Sequence, residues 1–201
     1  MKVARIESGP RCRERTTTFL NDLRDLAVKE GADDARVIAC QPLPLASQEA
    51  KSPATSPEKR SRHWPEPAYP KDDLKLALRI FQQAVVFRVD RGKGGDNPAG
   101  RDQGRREALL KVYTITMKLE SAGFYGGYHL TMGLATGNCR EVFCAEEATC
   151  QALKKGSPCR HPLRARAAME ACGLDAREIA ARAGWAASEA GDNYFVGMVF
   201  V

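Results

Sequence analysis

The sequence predicts an α/β or α+β fold, a single small sheet of about four strands flanked by helices. Three observations carry that expectation. Short runs rich in β-branched residues alternate with segments of helical periodicity. Glycine and proline punctuate the ends of these runs. With 201 residues, 43% of them hydrophobic, the chain can bury one core without disulfide staples. One domain over residues 1–201 is expected, with a cysteine-rich metal-binding loop ahead of the C-terminal helices.

Residues 13–30 predict a helix, because Leu20, Leu23, Leu26 and Ala27 recur at three- and four-residue steps and Gly31 closes the pattern. Ala35–Ala39 suits a short strand. From about 41 to 71 seven prolines and little apolar periodicity predict a loop or lid. Leu74, Leu76, Leu78 and Phe81 suit a helix leading into a buried strand over Ala84–Val89. Arg91–Gly104, with five glycines and a proline, predicts a second loop. A long helix is expected over Arg105–Ala122, ending near Gly123, and a strand over Tyr128–Thr136 that runs directly into Cys139. Pro162 can open a helix carrying Met169 and Cys172, stopped by Gly173. Asp175 and Glu178 form a capping box for the next helix, which ends near Gly184. Asn193–Val201 reads as a terminal strand.

Composition excludes several classes. The longest nearly unbroken apolar run, Tyr194–Val201, is far below the roughly 20 residues a membrane-spanning helix needs, so no membrane association is expected. The first residues lack the apolar stretch of a secretory signal, which leads to the expectation of a reducing cytoplasmic location. The formal charge of +6 is spread along the chain and aromatics are only 7%, so nucleic-acid binding is not expected.

The cysteines carry the chemistry. Four of the seven, Cys139, Cys144, Cys150 and Cys159, fall in one short stretch spaced Cys-x4-Cys-x5-Cys-x8-Cys, a box over residues 137–162. A disulfide framework would want an oxidising compartment and usually a smaller domain. Four thiolates gathered in a reducing compartment point to a metal, because each anionic sulfur repels the others until a cation neutralises them. Zinc ribbons use tight cysteine pairs two to four residues apart, and the gaps here do not repeat such a pair. Iron-sulfur clusters also take four thiolates, with more varied spacing that includes a Cys-x4-Cys step. Gly137, Gly156, Ser157 and Pro158 supply turns for a loop around a compact object. Spacing thus favours an iron-sulfur cluster, with zinc as the alternative.

The run Phe124-Tyr125-Gly126-Gly127, then Gly137-Asn138-Cys139-Arg140, then Gly156-Ser157-Pro158-Cys159-Arg160-His161-Pro162, then Arg166, Met169-Glu170 and Gly173-Leu174-Asp175 resembles one family. It is similar to the cysteine-rich predicted metal-binding proteins of bacteria and archaea that are grouped as a domain of unknown function. The resemblance extends upstream to Gly31–Val37 and ends at Asn193-Tyr194. It implies a metal-ligand role, toward iron-sulfur, for Cys139, Cys144, Cys150 and Cys159, and no reaction. Members of that family usually carry an N-terminal cysteine set as well. Here Ser52, Ser56 and Trp64 stand where those thiols would be, and a second centre is not expected, since neither serine nor tryptophan ligates readily. Alanines in Ala165–Met169 replace the Pro-Ser that the family tends to have there.

Arg160 and His161, directly after the fourth cysteine, are read as outer partners that bind or tune the cofactor, against the plainer possibility of solvated residues at a helix start. Gly126-Gly127 fits a turn, and His129 a satisfied strand histidine. The glycine-rich Arg91–Asp96 lacks the Gly-Lys-Ser/Thr ending of a phosphate loop and reads as a connector. Cys12 and Cys172 are expected to pack as small hydrophobes, with Cys40 a remnant of the lost N-terminal set. The resulting expectation is a metal-binding protein holding one iron-sulfur cluster, 4Fe-4S in kind, for electron transfer or redox sensing with a redox partner protein. The alternatives are a structural zinc module with a basic partner-binding surface and a metal-free interaction domain.

Overall fold

The computed structural model describes residues 10–40, 61, 80–92, 98–154, 156–187, 190 and 193–201. Helix α1 covers Pro10–Lys29 and turns at Gly31 into strand β1, Asp34–Ala39. Strand β2 covers Gln83–Asp90, helix α2 Pro98–Tyr125 and strand β3 Met132–Leu134. The short helix α3, Cys139–Phe143, opens the cysteine loop, with a 3₁₀ turn at Gln151–Leu153. A second 3₁₀ turn, Glu170–Cys172, helix α4, Ala176–Arg182, and strand β4, Tyr194–Phe200, complete the chain.

The four strands form one sheet in the order β1-β2-β4-β3, antiparallel throughout, which makes the fold α+β. Val37 pairs with Val85, Val86 with Met198 and Gly133 with Val199. Strands β2 and β4 are central, and their residues alternate between two cores. Val85, Phe87, Phe195 and Val199 face a layer made by Leu20, Leu23 and Ala27 of α1 and by Leu109, Val112 and Leu119 of α2. Val86, Val196, Met198 and Phe200 face the opposite layer, built from Met169, Leu174, Ile179 and Trp185. Coverage on both faces explains why β4 is buried along its whole length. Complete burial of side chains such as Phe87 and Phe200 stabilises the fold by about 1.5–3 kcal/mol each. No helix among the described residues is long and apolar enough to cross a membrane.

Several expectations change. Pro98–Gly104 is helical: Pro98 occupies the first turn of α2, where its missing N–H costs nothing, and the helix runs on through Gly123 to Tyr125. The predicted strand at 128–136 shrinks to Met132–Leu134, because the Tyr128 carbonyl accepts from the Thr131 N–H and hydroxyl and folds Tyr128–Thr131 into a turn. His129 is exposed in that turn, its ring 5.2 Å from Phe124, and is not a strand histidine. No helix forms from Pro162 to Met169. Ala167 and Met169 are instead committed to backbone hydrogen bonds with Ala135, which bridge Ala168 to it, and a 3₁₀ turn begins only after Met169. Gly126-Gly127 does form a turn, Gly127 having φ +96°. The predicted lid apart from Ser61, most of the helix over Leu74–Phe81, Lys93–Asp96 of the glycine-rich run and the Ser52, Ser56 and Trp64 positions lie outside the described residues.

Gly197 faces Phe87 across the central strand pair, and a Cβ built there would lie 2.2 Å from the ring. Gly197→Ala is therefore expected to destabilise the protein by about 1–3 kcal/mol in a denaturant titration, and an unchanged midpoint would show that this contact is not tight.

Candidate metal centre

All four clustered cysteines hang from one neck. The Ala135 N–H donates to the Ala167 carbonyl at 3.0 Å, and the Ala135 carbonyl accepts from the Met169 N–H at 2.8 Å. The chain thus leaves β3, makes its excursion through the cysteines and returns beside its starting point. Glu120 of α2 braces both limbs: its carboxylate accepts from the Gly133 N–H at 3.0 Å and pairs with Arg166 at 2.6 Å. The buried Thr136 hydroxyl donates to the Val196 carbonyl and seats the outgoing limb on β4.

Cys139 is placed by the bend before it. Gly137 has φ +74°, a conformation that L side chains rarely adopt. Its carbonyl accepts from the Tyr113 hydroxyl at 3.0 Å. Asn138 then caps α3, its side chain accepting from the Arg140 N–H at 3.1 Å. Arg105 of α2 pairs with Glu141 at 3.0 Å, and Phe143 packs edge-on to Tyr113 with ring centroids 5.3 Å apart. Cys139 is consequently buried against α2, its thiol 3.7 Å from the Ser61 hydroxyl.

The other three thiols follow from the same loop. Cys144 ends α3, its N–H donating to the Arg140 carbonyl. Cys150 is buried at the start of the first 3₁₀ turn, and Cys159 is partly buried beyond it. The four lie within electrostatic reach of one another. Burial first, then the charges of Cys150, Cys159 and Cys144, push the Cys139 thiol up to about 12, against the lowering effect of Ser61. Burial and then Cys159 also raise Cys144, while Arg160 opposes them. Among the described residues no three His, Cys, Asp or Glu side chains converge as closely as a single metal ion requires. The structure therefore gathers the thiols without closing them on a point.

Arg160 and His161 both contact the loop. Arg160 pairs with Glu147 at 3.0 Å and donates to the Thr149 carbonyl at 3.4 Å, holding the segment between Cys144 and Cys150. The His161 backbone N–H lies 3.4 Å from the Cys159 sulfur, while its ring lies 5.5 Å from Phe143. His161 thus reaches a cysteine through its backbone. Three residues escaped the sequence reasoning. Arg140 is buried beneath the Cys144–Cys150 segment, its Nη2 donating to the Glu147 carbonyl. Ser61 lies far away in sequence. Glu170 touches solvent, yet the protein packed around it pushes its carboxyl from 4.5 up to about 7, despite hydrogen bonds from the N–H groups of Glu170 and Gly137 that favour the charged form. Water at its edge screens part of that effect. Only Arg140 had a signal in the sequence, its place directly after a candidate ligand.

Cys40 and Cys172 sit in the core on the other sheet face, where burial pushes both thiols up to about 12. Cys172 is the packing residue expected, whereas the side chain of Cys12 lies outside the described residues. An apolar cleft of about 260 Å³, lined in part by Ile80, Phe81, His129 and Leu130, contains none of the cysteines. The donor set at the loop fits a thiophilic metal or an iron-sulfur cluster, with Cys139, Cys144, Cys150 and Cys159 as the groups that would hold it.

Two outcomes follow. In metal-free native protein, alkylation followed by peptide mass mapping should modify the partly exposed Cys144 and Cys159 well before Cys139, Cys40 and Cys172. Early labelling of Cys139 would contradict its placement. The Glu170 carboxyl is raised from 4.5 towards about 7 in the folded state, so stability should fall as pH rises through that window, by an amount that the residue's exposure reduces. Glu170→Gln should remove that part of the pH dependence in unfolding titrations, and identical profiles would refute the assignment.

No curated protein and no solved structure matches the chain. The model of the family described as "Predicted metal-binding protein (DUF2284)" matches residues 63–201, well over half of the chain and all four clustered cysteines, and the protein belongs to that family.

Proposed function

We propose that the protein holds one iron-sulfur cluster, 4Fe-4S in kind, through Cys139, Cys144, Cys150 and Cys159, and serves electron transfer or redox sensing with a protein partner. The observation that carries this reading is the gathering of four thiols, spaced by four, five and eight residues, in one neck-closed loop where burial first and then the neighbouring thiols raise the pKa of Cys139 and Cys144. Family membership supports the metal, and the spacing supports the cluster over zinc.

A bound cluster supplies one-electron chemistry. The chain's own residues do the rest. Cys139 and Cys150 are buried while Cys144 and Cys159 keep solvent contact, so one side of the centre faces the surface where a partner can dock. The positive charge of Arg160 stabilises the Cys144 thiolate. The N–H of His161 donates toward the Cys159 sulfur, and hydrogen bonds of this kind to ligand sulfur tune reduction potentials.

Anaerobic purification tests the reading. The expected product is brown, with sulfur-to-iron charge-transfer absorbance, bound iron and acid-labile sulfide. Cys150→Ala and Cys159→Ala should each retain roughly tenfold less iron or lower still. A colourless protein carrying zinc would overturn the reading in favour of a structural site, and a folded protein with no metal would leave an interaction domain.

A further inference from the structure

Arg140 presents an unsolved charge problem. The residue is 8% exposed, and among the described residues its Nε and Nη1 have no hydrogen-bond partner. Only Nη2 is engaged, by the Glu147 carbonyl. A guanidinium brings five N–H donors and a permanent charge, and removing it from water without an anion is strongly unfavourable. The carboxylates that follow it in sequence do not supply that anion. Glu141 is paired with Arg105, Glu147 with Arg160, and Glu146 is exposed at the surface.

Position indicates what does. Arg140 follows Cys139 directly, its carbonyl receives the Cys144 N–H, and its guanidinium reaches the segment that joins Cys144 to Cys150. Three of the four thiols therefore bracket it along the chain. Protonated thiols would offer it no negative charge. Metal loading removes those protons. Four thiolates around either a zinc ion or a 4Fe-4S core carry more negative charge than the metal neutralises, and the surplus is spread over sulfur.

We propose that Arg140 is the internal counter-cation of this centre, with its unpartnered Nε–H and Nη1–H donating to the sulfur-borne negative charge created on metal loading. This rests on the reading of the four cysteines as a metal centre. It gives Arg140 a role different from that of Arg160, which grips the loop from outside and already has its partners. A positive charge beside the centre stabilises the state with one more electron, so Arg140 raises the reduction potential. It also favours retention of the metal, because it offsets repulsion among the thiolates.

The test compares wild type, Arg140→Lys and Arg140→Gln as full-length chains, reconstituted anaerobically with ferrous iron and sulfide, titrated by spectroelectrochemistry and checked for folding by circular dichroism. Arg140→Gln should have the more negative midpoint potential, by at least about tenfold in the reduction equilibrium, or 59 mV for one electron. Arg140→Lys should lie between Arg140→Gln and wild type. An unchanged potential in Arg140→Gln at full cluster content overturns the inference and leaves the iron-sulfur reading intact. If Arg140→Gln folds but assembles no cluster, recovery of the cluster in Arg140→Lys supports the charge role, and its failure to recover overturns it. A colourless wild type holding zinc would end the iron-sulfur reading alone. In that case Arg140→Gln should lose zinc to a chelator about tenfold more readily than wild type, and equal retention would overturn the inference.

Discussion

Two hydrogen bonds made by the Ala135 peptide groups set the conditions for everything the cysteine loop does. Donation to Ala167 and acceptance from Met169 bring the ends of a long excursion together. Closing a loop of that length carries an entropic cost that grows only slowly with its length. Once the neck is closed, the remaining cost of bringing the cysteines together falls on short internal segments. Each of those has its own fastening: the Asn138 cap, the Tyr113 hydroxyl on Gly137, and the Arg140 and Arg160 grips on the Cys144–Cys150 segment. Glu120 ties the neck to α2, so the longest helix of the fold transmits its rigidity to the site.

Electrostatics oppose this gathering. At Cys139 and Cys144 burial first, and then the neighbouring thiols, disfavour ionisation. Deprotonating these thiols together would therefore need a cation to offset their mutual repulsion. The arginines divide the work by depth. Arg105, Arg160 and Arg166 neutralise Glu141, Glu147 and Glu120 and so clear competing anions from the neighbourhood. Arg140 is left as the buried charge with donors to spare.

Local chemistry made much of this legible in the sequence. The central strands announced themselves by apolar runs such as Ala84–Val89 and Tyr194–Phe200, and Asp175 marked the start of α4 by its capping chemistry. The four cysteines stood out by clustering alone. Features that depend on tertiary pairing were not legible. Continuous burial of β4 is as compatible with a parallel sheet as with the antiparallel one found, because it reports two covered faces and says nothing of strand direction. The stretch Ala165–Met169 has good helix formers, yet Ala135, remote in sequence, draws it into a bridge at Ala168, and helical backbone appears only at Met169. Arg140 stood out by its place directly after Cys139, but its burial was not legible, since nothing local distinguishes a buried arginine from a solvated one.

Strand β3 shows how fold and site share one device. It is an edge strand of only three residues, paired on one side with β4. An exposed edge with unpaired backbone groups invites association with other chains. Here the outer side is occupied: Glu120 takes the Gly133 N–H, and the returning limb of the cysteine loop pairs with Ala135 through the parallel bridge to Ala168. The same pairing that protects the edge closes the neck of the loop. The site is therefore anchored at a position where the sheet needed a covering in any case, and the returning limb then continues directly into Met169 and Leu174, part of the core on the second sheet face. Disturbing the neck would expose an edge, loosen that core and scatter the thiols together, so folding and metal-site assembly are expected to be coupled through Ala135.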